Sequence, residues 1–303
     1  MKFEITIEGP PQAIEKISHL LARESFDPVN LSASHSCPAI FKSITLKETD
    51  PELLNRKLAR IGSLITIVEQ QTGLRDQLQI RVRNLGYAEP SCTSEDGPEP
   101  FKPVSSLTIH PWTPSYGGDF APHTIILDPR HAFGTGKHPT TRLCLQILEG
   151  MAHGKSTRDT FPSWSVLDFG CGSGLLAMAA IRLGAKKALG VEIDGAAAET
   201  AKRNVQHNGL SESVRIRTGS WEQAAGLYDL ILANLVPAVL FRTGFNIPSH
   251  LKRNGIAVVS GFGESLLQEM AVFFGKAGLA ILQRFSLENW GALLMAHPFQ
   301  NIP

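Results

Sequence analysis

Apolar and polar residues follow two different rhythms in the two parts of this chain. Residues 2–7 alternate, with Phe3, Ile5 and Ile7 set between Lys2, Glu4 and Thr6, which predicts a half-buried strand. Pro10-Pro11 opens a helix whose apolar positions Ile14, Ile17, Leu20 and Leu21 fall at helical spacing. Ile40, Ile44 and Leu46 predict a second strand, and Asp50-Pro51 starts a second helix carrying Leu53, Leu54, Leu58 and Ile61. Leu64 to Val68 then reads as a third, short strand. The order β-α-β-α-β predicts a small α+β sandwich of the ferredoxin-like kind over residues 1–87.

From residue 104 the rhythm becomes strand-helix alternation. Val166-Leu167, 188–193, 214–217, 227–233 and 256–260 read as strands, and 141–148, 175–183 and 196–207 as helices. That alternation predicts an α/β fold with a doubly wound parallel sheet over 104–303. Between the two parts, residues 88–103 hold four prolines among small polar residues. They read as a linker, or as a long surface loop inside one domain.

Composition narrows the class. The chain has 303 residues, 43% apolar and 19% charged, which suits two globular domains and excludes a disordered or fibrous chain. The formal net charge is +1, and residues 1–100 hold 11 basic against 14 acidic side chains, a net −3. Neither figure fits a nucleic-acid binder. Cys37, Cys92, Cys144 and Cys171 include no C-x-x-C pair, so no zinc ribbon or thioredoxin-like motif is present. The N-terminus lacks the apolar run of a signal peptide, and no apolar stretch is long enough to span a bilayer. The expectation is a soluble cytoplasmic protein with reduced thiols, no membrane partner and a monomer as the default state.

Glycine usage points to the chemistry. Asp168-Phe-Gly170-Cys-Gly172-Ser-Gly174 follows a strand and opens a helix, at the sheet edge where α/β folds bind ligands. The spacing is G-x-G-x-G and not the G-x-G-x-x-G of pyrophosphate binders, which argues against a nicotinamide dehydrogenase. Glu192 ends the next strand, 22 residues after Gly170, where a carboxylate accepts two hydrogen bonds from a ribose diol. A nucleoside without a pyrophosphate, such as S-adenosylmethionine, fits. Asn234 closes a further apolar strand ahead of Pro237, either as a turn former or as a group that orients an incoming amine. A second cluster, Phe133-Gly134-Thr135-Gly136-Lys137-His138-Pro139-Thr140-Thr141, reads as a ligand-edge loop of unassigned job leading into a helix. It lacks phosphate-loop spacing, and His131 and His138 have no Cys or second carboxylate nearby to complete a metal site.

These residues resemble the PrmA family, the methyltransferases of ribosomal protein L-11. The resemblance rests on Ala132-Phe-Gly-Thr-Gly-Lys-His-Pro-Thr-Thr141, Asp168 to Gly174, Gly190-Val-Glu192-Ile-Asp194 and Ala233-Asn234-Leu235. Phe101-Lys-Pro-Val104 and Ile109-His-Pro-Trp112 resemble the family's entry into its catalytic domain, and the match runs over roughly 100–295. It implies a class I, Rossmann-like fold with a seven-stranded sheet and an antiparallel edge, on which 264–274 is a helix and 280–285 and 290–295 are closing strands. It implies S-adenosylmethionine as cofactor, S-adenosylhomocysteine as product and no metal. By motif, Thr141, Asp168, Gly170, Gly172, Gly174, Glu192 and Asn234 contact the cofactor, the loop Phe133, Gly134, Thr135, Gly136 closes over it, and Asn234 stands at the chemistry. The implied reaction is methyl transfer to amino groups of a ribosomal protein held by the front domain. An RNA or small-molecule methyltransferase on the same fold, or a non-catalytic S-adenosylmethionine-binding protein, are the alternatives. Three departures stand out against the family's usual residues. Lys137 replaces a small or polar residue, Glu192 replaces Asp, and Val236-Pro237 follows Asn234-Leu235.

Overall fold

The computed structural model describes residues 3–23, 30–33, 42–48, parts of 57–73, 78–84, 99–113, 121–128 and 132–298. The chain divides into two compact units, one of Met1–Thr93 with Val236–Gly244, the other of Ser94–Leu235 with Phe245–Pro303.

The first unit holds β1 (Phe3–Gly9), α1 (Pro11–Arg23), β2 (Asn30–Ala33), β3 (Lys42–Glu48) and β4 (Gln79–Asn84). Its four strands are antiparallel in the order β2-β3-β1-β4. With a helix between β3 and β4 this is the β-α-β-β-α-β arrangement of ferredoxin-like folds. Ile5 and Ile7 alternate into the core, and α1 buries Ala13, Ile14, Ile17 and Leu21 on one face. The stretch Leu64 to Val68 is not a strand: Leu64, Ile65, Ile67 and Val68 are helical. Ile61, Leu64, Ile65 and Val68 stand at i, i+3, i+4 and i+7, and all four are buried. That helical stripe outweighs the strand preference of the β-branched run. Leu53, Leu54, Leu58 and Ile40 lie outside the described residues.

In the second unit, β5 (Phe101–Val104), β6 (Leu107–Pro111) and β7 (Thr124–Leu127) form a small sheet that strand-helix alternation did not anticipate. β5 begins inside the stretch read as linker. The main body contains α2 (Pro139–His153), β8 (Ser165–Phe169), α3 (Leu175–Arg182), β9 (Lys187–Glu192), α4 (Gly195–His207), β10 (Val214–Thr218) and β11 (Tyr228–Asn234). After the helix α5 (Pro237–Thr243), which belongs to the first unit, follow α6 (Ile247–His250), β12 (Leu251–Gly263), α7 (Leu267–Lys276), β13 (Ala280–Leu287) and β14 (Trp290–Ala296). Seven strands run in the order β10-β9-β8-β11-β12-β14-β13, all parallel except β14, which is antiparallel to both neighbours. This is the class I methyltransferase sheet with its antiparallel edge. Strand order reverses between β8 and β11, so the crevice for a ligand opens at their carboxyl ends. Val166, Leu230, Leu232 and Val258 are fully buried in one core with α2 and α3.

Candidate functional site

Strand β8 delivers Asp168 and Phe169 to the carboxyl edge, and the chain turns through Gly170 to Gly174 into α3. Gly174 is the N-cap of α3 and offers no side chain to the helix's free N–H groups. Asp168 supplies the acceptor from below, its Oδ2 taking the N–H of Ala177 at 3.0 Å. The carboxyl is 1% exposed. Burial pushes its pKa up to about 7, against the pull of the Ala177 N–H, and the charge of Glu192 adds to the rise.

The two glycine loops meet directly. Gly172 has φ +52°, and a Cβ there would stand 2.5 Å from the carbonyl oxygen of Phe133. Glycine is therefore required both by the backbone and by the neighbour. Ser173 donates from its N–H to Phe133 O at 2.9 Å and from its hydroxyl to Gly134 O at 2.7 Å. Gly136 is buried beneath this contact, facing Ile109 and Leu175. Thr135 is half-buried. The second loop is thus docked through its backbone, and the ring of Phe133, 58% exposed, is what projects from it.

Two asparagines outside either motif hold this arrangement. Asn204, on α4 and fully buried, accepts from Asp128 N at 2.9 Å and donates to Asp128 O at 3.0 Å and Ser173 O at 2.9 Å. Asn208 accepts from Ile126 N at 2.8 Å and donates to Ile126 O at 2.7 Å. Asn204 lies in the last turn of α4 and Asn208 caps its C-terminus, and the two amides pair with the backbone of β7 and the residue after it.

At the end of β9, Glu192 accepts from Gly172 N at 2.9 Å through Oε2 and from Asp194 N at 3.0 Å through Oε1. Burial holds its pKa above the ordinary carboxylate value, while those N–H donors pull it down. Ile193, beside it, is 54% exposed. Trp221, just past β10, stacks on Phe169 with ring centroids 3.9 Å apart, and its buried indole N–H has no hydrogen-bond partner among the described residues. At the end of β11, Asn234 donates from Nδ2 to the hydroxyl of buried Thr141 at 3.3 Å. Its Oδ1 is buried and has no hydrogen-bond partner among the described residues.

His138 is the N-cap of α2, its Nδ1 accepting from Thr140 N at 3.3 Å. Burial lowers its pKa to about 4, so the ring is neutral. Trp290 meets it edge-on at 4.6 Å and Phe133 at 5.4 Å. Cys144 and Cys171 are buried free thiols whose pKa values burial pushes up. No group of His, Cys, Asp and Glu among the described residues could hold a metal ion, and His131 lies outside them. No described helix is long and apolar enough to cross a membrane.

The predicted residues therefore fall into two groups. Gly170, Gly172, Glu192, Asn234 and Phe133 reach the crevice edge, whereas Asp168, Gly174, Gly136 and Thr141 support it from within. Ser173, Asn204, Asn208, Ile193 and Trp221 were not singled out in the sequence. Of these only Ile193 carried a local signal, as an apolar residue directly after the strand-ending acid.

Comparison with known proteins adds the family. The model of the family described as "Ribosomal protein L11 methyltransferase (PrmA)" matches residues 2–298. A protein of that name from Pelobacter propionicus is 35% identical over 241 residues, covering 78% of this chain and 74% of its own. One from Shewanella halifaxensis is 38% identical over 152 residues, and there the chain spans about half the length of the relative. The crystal structure of a ribosomal protein L11 methylase from Lactobacillus delbrueckii subsp. bulgaricus aligns with TM-score 0.55 at 26% identity, covering 66% of this chain and 99% of that one. With the sheet order, the joined glycine loops and a family match across nearly its whole length, the chain belongs to the ribosomal protein L11 methyltransferase (PrmA) family.

Proposed function

We propose that the protein transfers methyl groups from S-adenosylmethionine to amino groups of a ribosomal protein, L11, and that Asn234 holds the acceptor amine. The observation behind this is the buried, unpartnered Oδ1 of Asn234 at the strand-order reversal. A buried acceptor left unpaired is costly unless a ligand completes it, and an amine N–H is a donor of the right kind.

The residues present fit the donor molecule. Gly170 and Gly172 carry the chain round the crevice edge with left-handed backbone, and Glu192 keeps lone pairs beyond its bonds to Gly172 N and Asp194 N for a ribose diol. When bound, S-adenosylmethionine supplies a methyl group already activated on its sulfonium and leaves as S-adenosylhomocysteine. Gly170, Gly172 and Glu192 would hold it, with Phe133, Gly134 and Thr135 covering it. Asp168, Gly174, Gly136 and Thr141 keep those groups in place.

The chain's own work is positioning and desolvation. A lysine amine with pKa near 10.4 is neutral at roughly the one-in-a-thousand level at pH 7.4. A crevice that excludes water favours the neutral amine. Asn234 Oδ1, accepting one amine N–H, turns the nitrogen lone pair toward the methyl carbon, and the proton left on nitrogen after transfer departs to solvent. Such alignment alone accounts for about 7–11 kcal/mol in well-oriented reactions. The unit of residues 1–93 with 236–244 would recognise the protein substrate.

The test is incubation with radiolabelled S-adenosylmethionine, purified L11 and, separately, ribosomal RNA. Label in L11 that falls at least tenfold in Asn234→Ala is the expected result. Label in RNA alone overturns the protein substrate, and no S-adenosylmethionine binding by calorimetry overturns the whole reading.

A further inference from the structure

One residue after Asn234 the chain meets a constraint that belongs to neither glycine motif. Leu235 donates its N–H to Ser260 O at 3.0 Å, so it still rides on β12. At Gly261 the pairing of β12 with β14 slips, the register shifting between Ser260 and Phe262. The bulged glycine has φ +98°. A Cβ on it would collide with the carbonyl oxygen of Leu235 and lie 2.6 Å from its carbonyl carbon and 2.8 Å from its nitrogen. Leu235's side chain, in turn, occupies the space a Cβ on Gly170 would need, with Cγ at 3.0 Å from that position. Ser260 is fully buried and its hydroxyl donates to Gly291 O at 2.8 Å, fixing the bulge from its other side. The Leu235 peptide is thereby gripped between the first glycine loop and a β-bulge. Bulges commonly re-aim a neighbouring side chain next to an active site.

We propose that Gly261 is a positioning residue for methyl transfer, setting the Asn234 amide through the Leu235 peptide; this rests on the role given to Asn234 above. Any side chain at 261 forces that peptide back by roughly 1 Å to reach ordinary contact. A shift of that size at a reacting geometry costs on the order of 100-fold in rate. Of the groups given to the cofactor, Glu192 ends β9 and Gly172 sits in the loop after β8, neither among the atoms a Cβ at 261 would meet, and Gly170 meets the Leu235 side chain rather than its peptide.

The experiment compares the full chain with Gly261→Ala, Asn234→Ala and the double variant, with radiolabel to read slow turnover on L11. Gly261→Ala is expected to lower kcat by about 10- to 100-fold, with the S-adenosylmethionine Kd from calorimetry and the KM for L11 both within about threefold of wild type. The double variant is expected to be no slower than Asn234→Ala, because both changes act at one group. A kcat for Gly261→Ala within threefold of wild type, or losses that multiply in the double variant, overturns the proposal. If Asn234→Ala alone keeps wild-type kcat, the reading of Asn234 fails and this one with it. If Asn234→Ala is slow while Gly261→Ala is not, only this one fails. Should Gly261→Ala show no cooperative unfolding transition, Leu235→Ala replaces it, removing the side chain against Gly170 and leaving the bulge intact. It is expected to lower kcat severalfold without adding to Asn234→Ala, and an unchanged kcat overturns the proposal.

Discussion

Asp168→Asn isolates the cost of burying a carboxyl beneath the glycine loop. Asp168 is 1% exposed, with a pKa raised from 3.8 to about 7 mainly by burial. Between those two values the folded chain keeps a proton that the unfolded chain has released. The stabilising contribution is therefore complete below pH 3.8 and is lost as pH rises through 7. Each pKa unit corresponds to about 1.4 kcal/mol. Between pH 5 and 8.5 the wild type should lose about 3 kcal/mol from this one group. Asparagine keeps an oxygen for the Ala177 N–H and does not titrate. The stability difference, variant minus wild type, is thus expected to rise by about 3 kcal/mol from pH 5 to 8.5, whatever its value at pH 5. Urea unfolding followed by tryptophan fluorescence suits the measurement, because all four tryptophans, Trp112, Trp164, Trp221 and Trp290, lie in the second unit. A difference that stays flat across that range would show that Asp168 is ionised in the folded protein throughout it, with no raised pKa, and would sink the reasoning.

Other changes test the same framework. Gly172→Ala places a Cβ against the Phe133 carbonyl and strains a left-handed residue, so S-adenosylmethionine affinity by calorimetry should weaken at least tenfold; a change under threefold would mean the loops can part without consequence. Asn204→Ala removes the side-chain partner of three backbone groups, two on half-buried Asp128 and one on buried Ser173, and should cost about 2 kcal/mol in the urea transition, with a loss below about 0.5 counting against the clamp. His138→Ala removes the α2 cap at about 1 kcal/mol near pH 7.5, and His138→Asn should restore it. The folded pKa of His138, about 4, lies below the ordinary 6.5, so its contribution is complete above pH 6.5 and is lost as pH falls through 4. At about 1.4 kcal/mol per pH unit the advantage of wild type over His138→Ala should vanish and then reverse between pH 6.5 and 4, and a gap independent of pH refutes the neutral cap.

Most of the second unit was legible because its signals are local. Apolar runs at β8, β9, β11 and β12 each end in a residue with a distinct job, so strand, loop and helix could be placed from sequence alone. The misread segment Leu64 to Val68 shows the limit of a short window. Its β-branched run looks like a strand until Ile61 is included, when the helical stripe emerges. The pairing of Asn204 and Asn208 with Asp128 and Ile126 joins residues 76 and 82 positions apart, and nothing local marks it. The same holds for Asp168. Its place beside a glycine loop suggested a ligand, but its direction toward Ala177 depends on α3 packing back over β8. The small sheet of β5 to β7 escaped notice because its strands are short and β5 and β6 are joined by two residues, so no strand-helix alternation marks them.

The make-up of the first unit bears on how the protein can be cut and recombined. Ala238 is fully buried in the same core cluster as Ile5, Ile14 and Ile65, and the Arg242 guanidinium donates to the backbone oxygen of Leu78. The first unit is therefore not a cassette at one end of the gene. Its last piece is encoded more than 140 codons downstream, two residues after Asn234. A fragment starting at Ser94 would leave Ala238 without its apolar neighbours, and a front end grafted from a relative would have to bring residues 236–244 with it. A first unit exchanged between family members by a single junction near residue 93 should fail to fold, whereas exchange of both segments together should give a cooperatively folding chain.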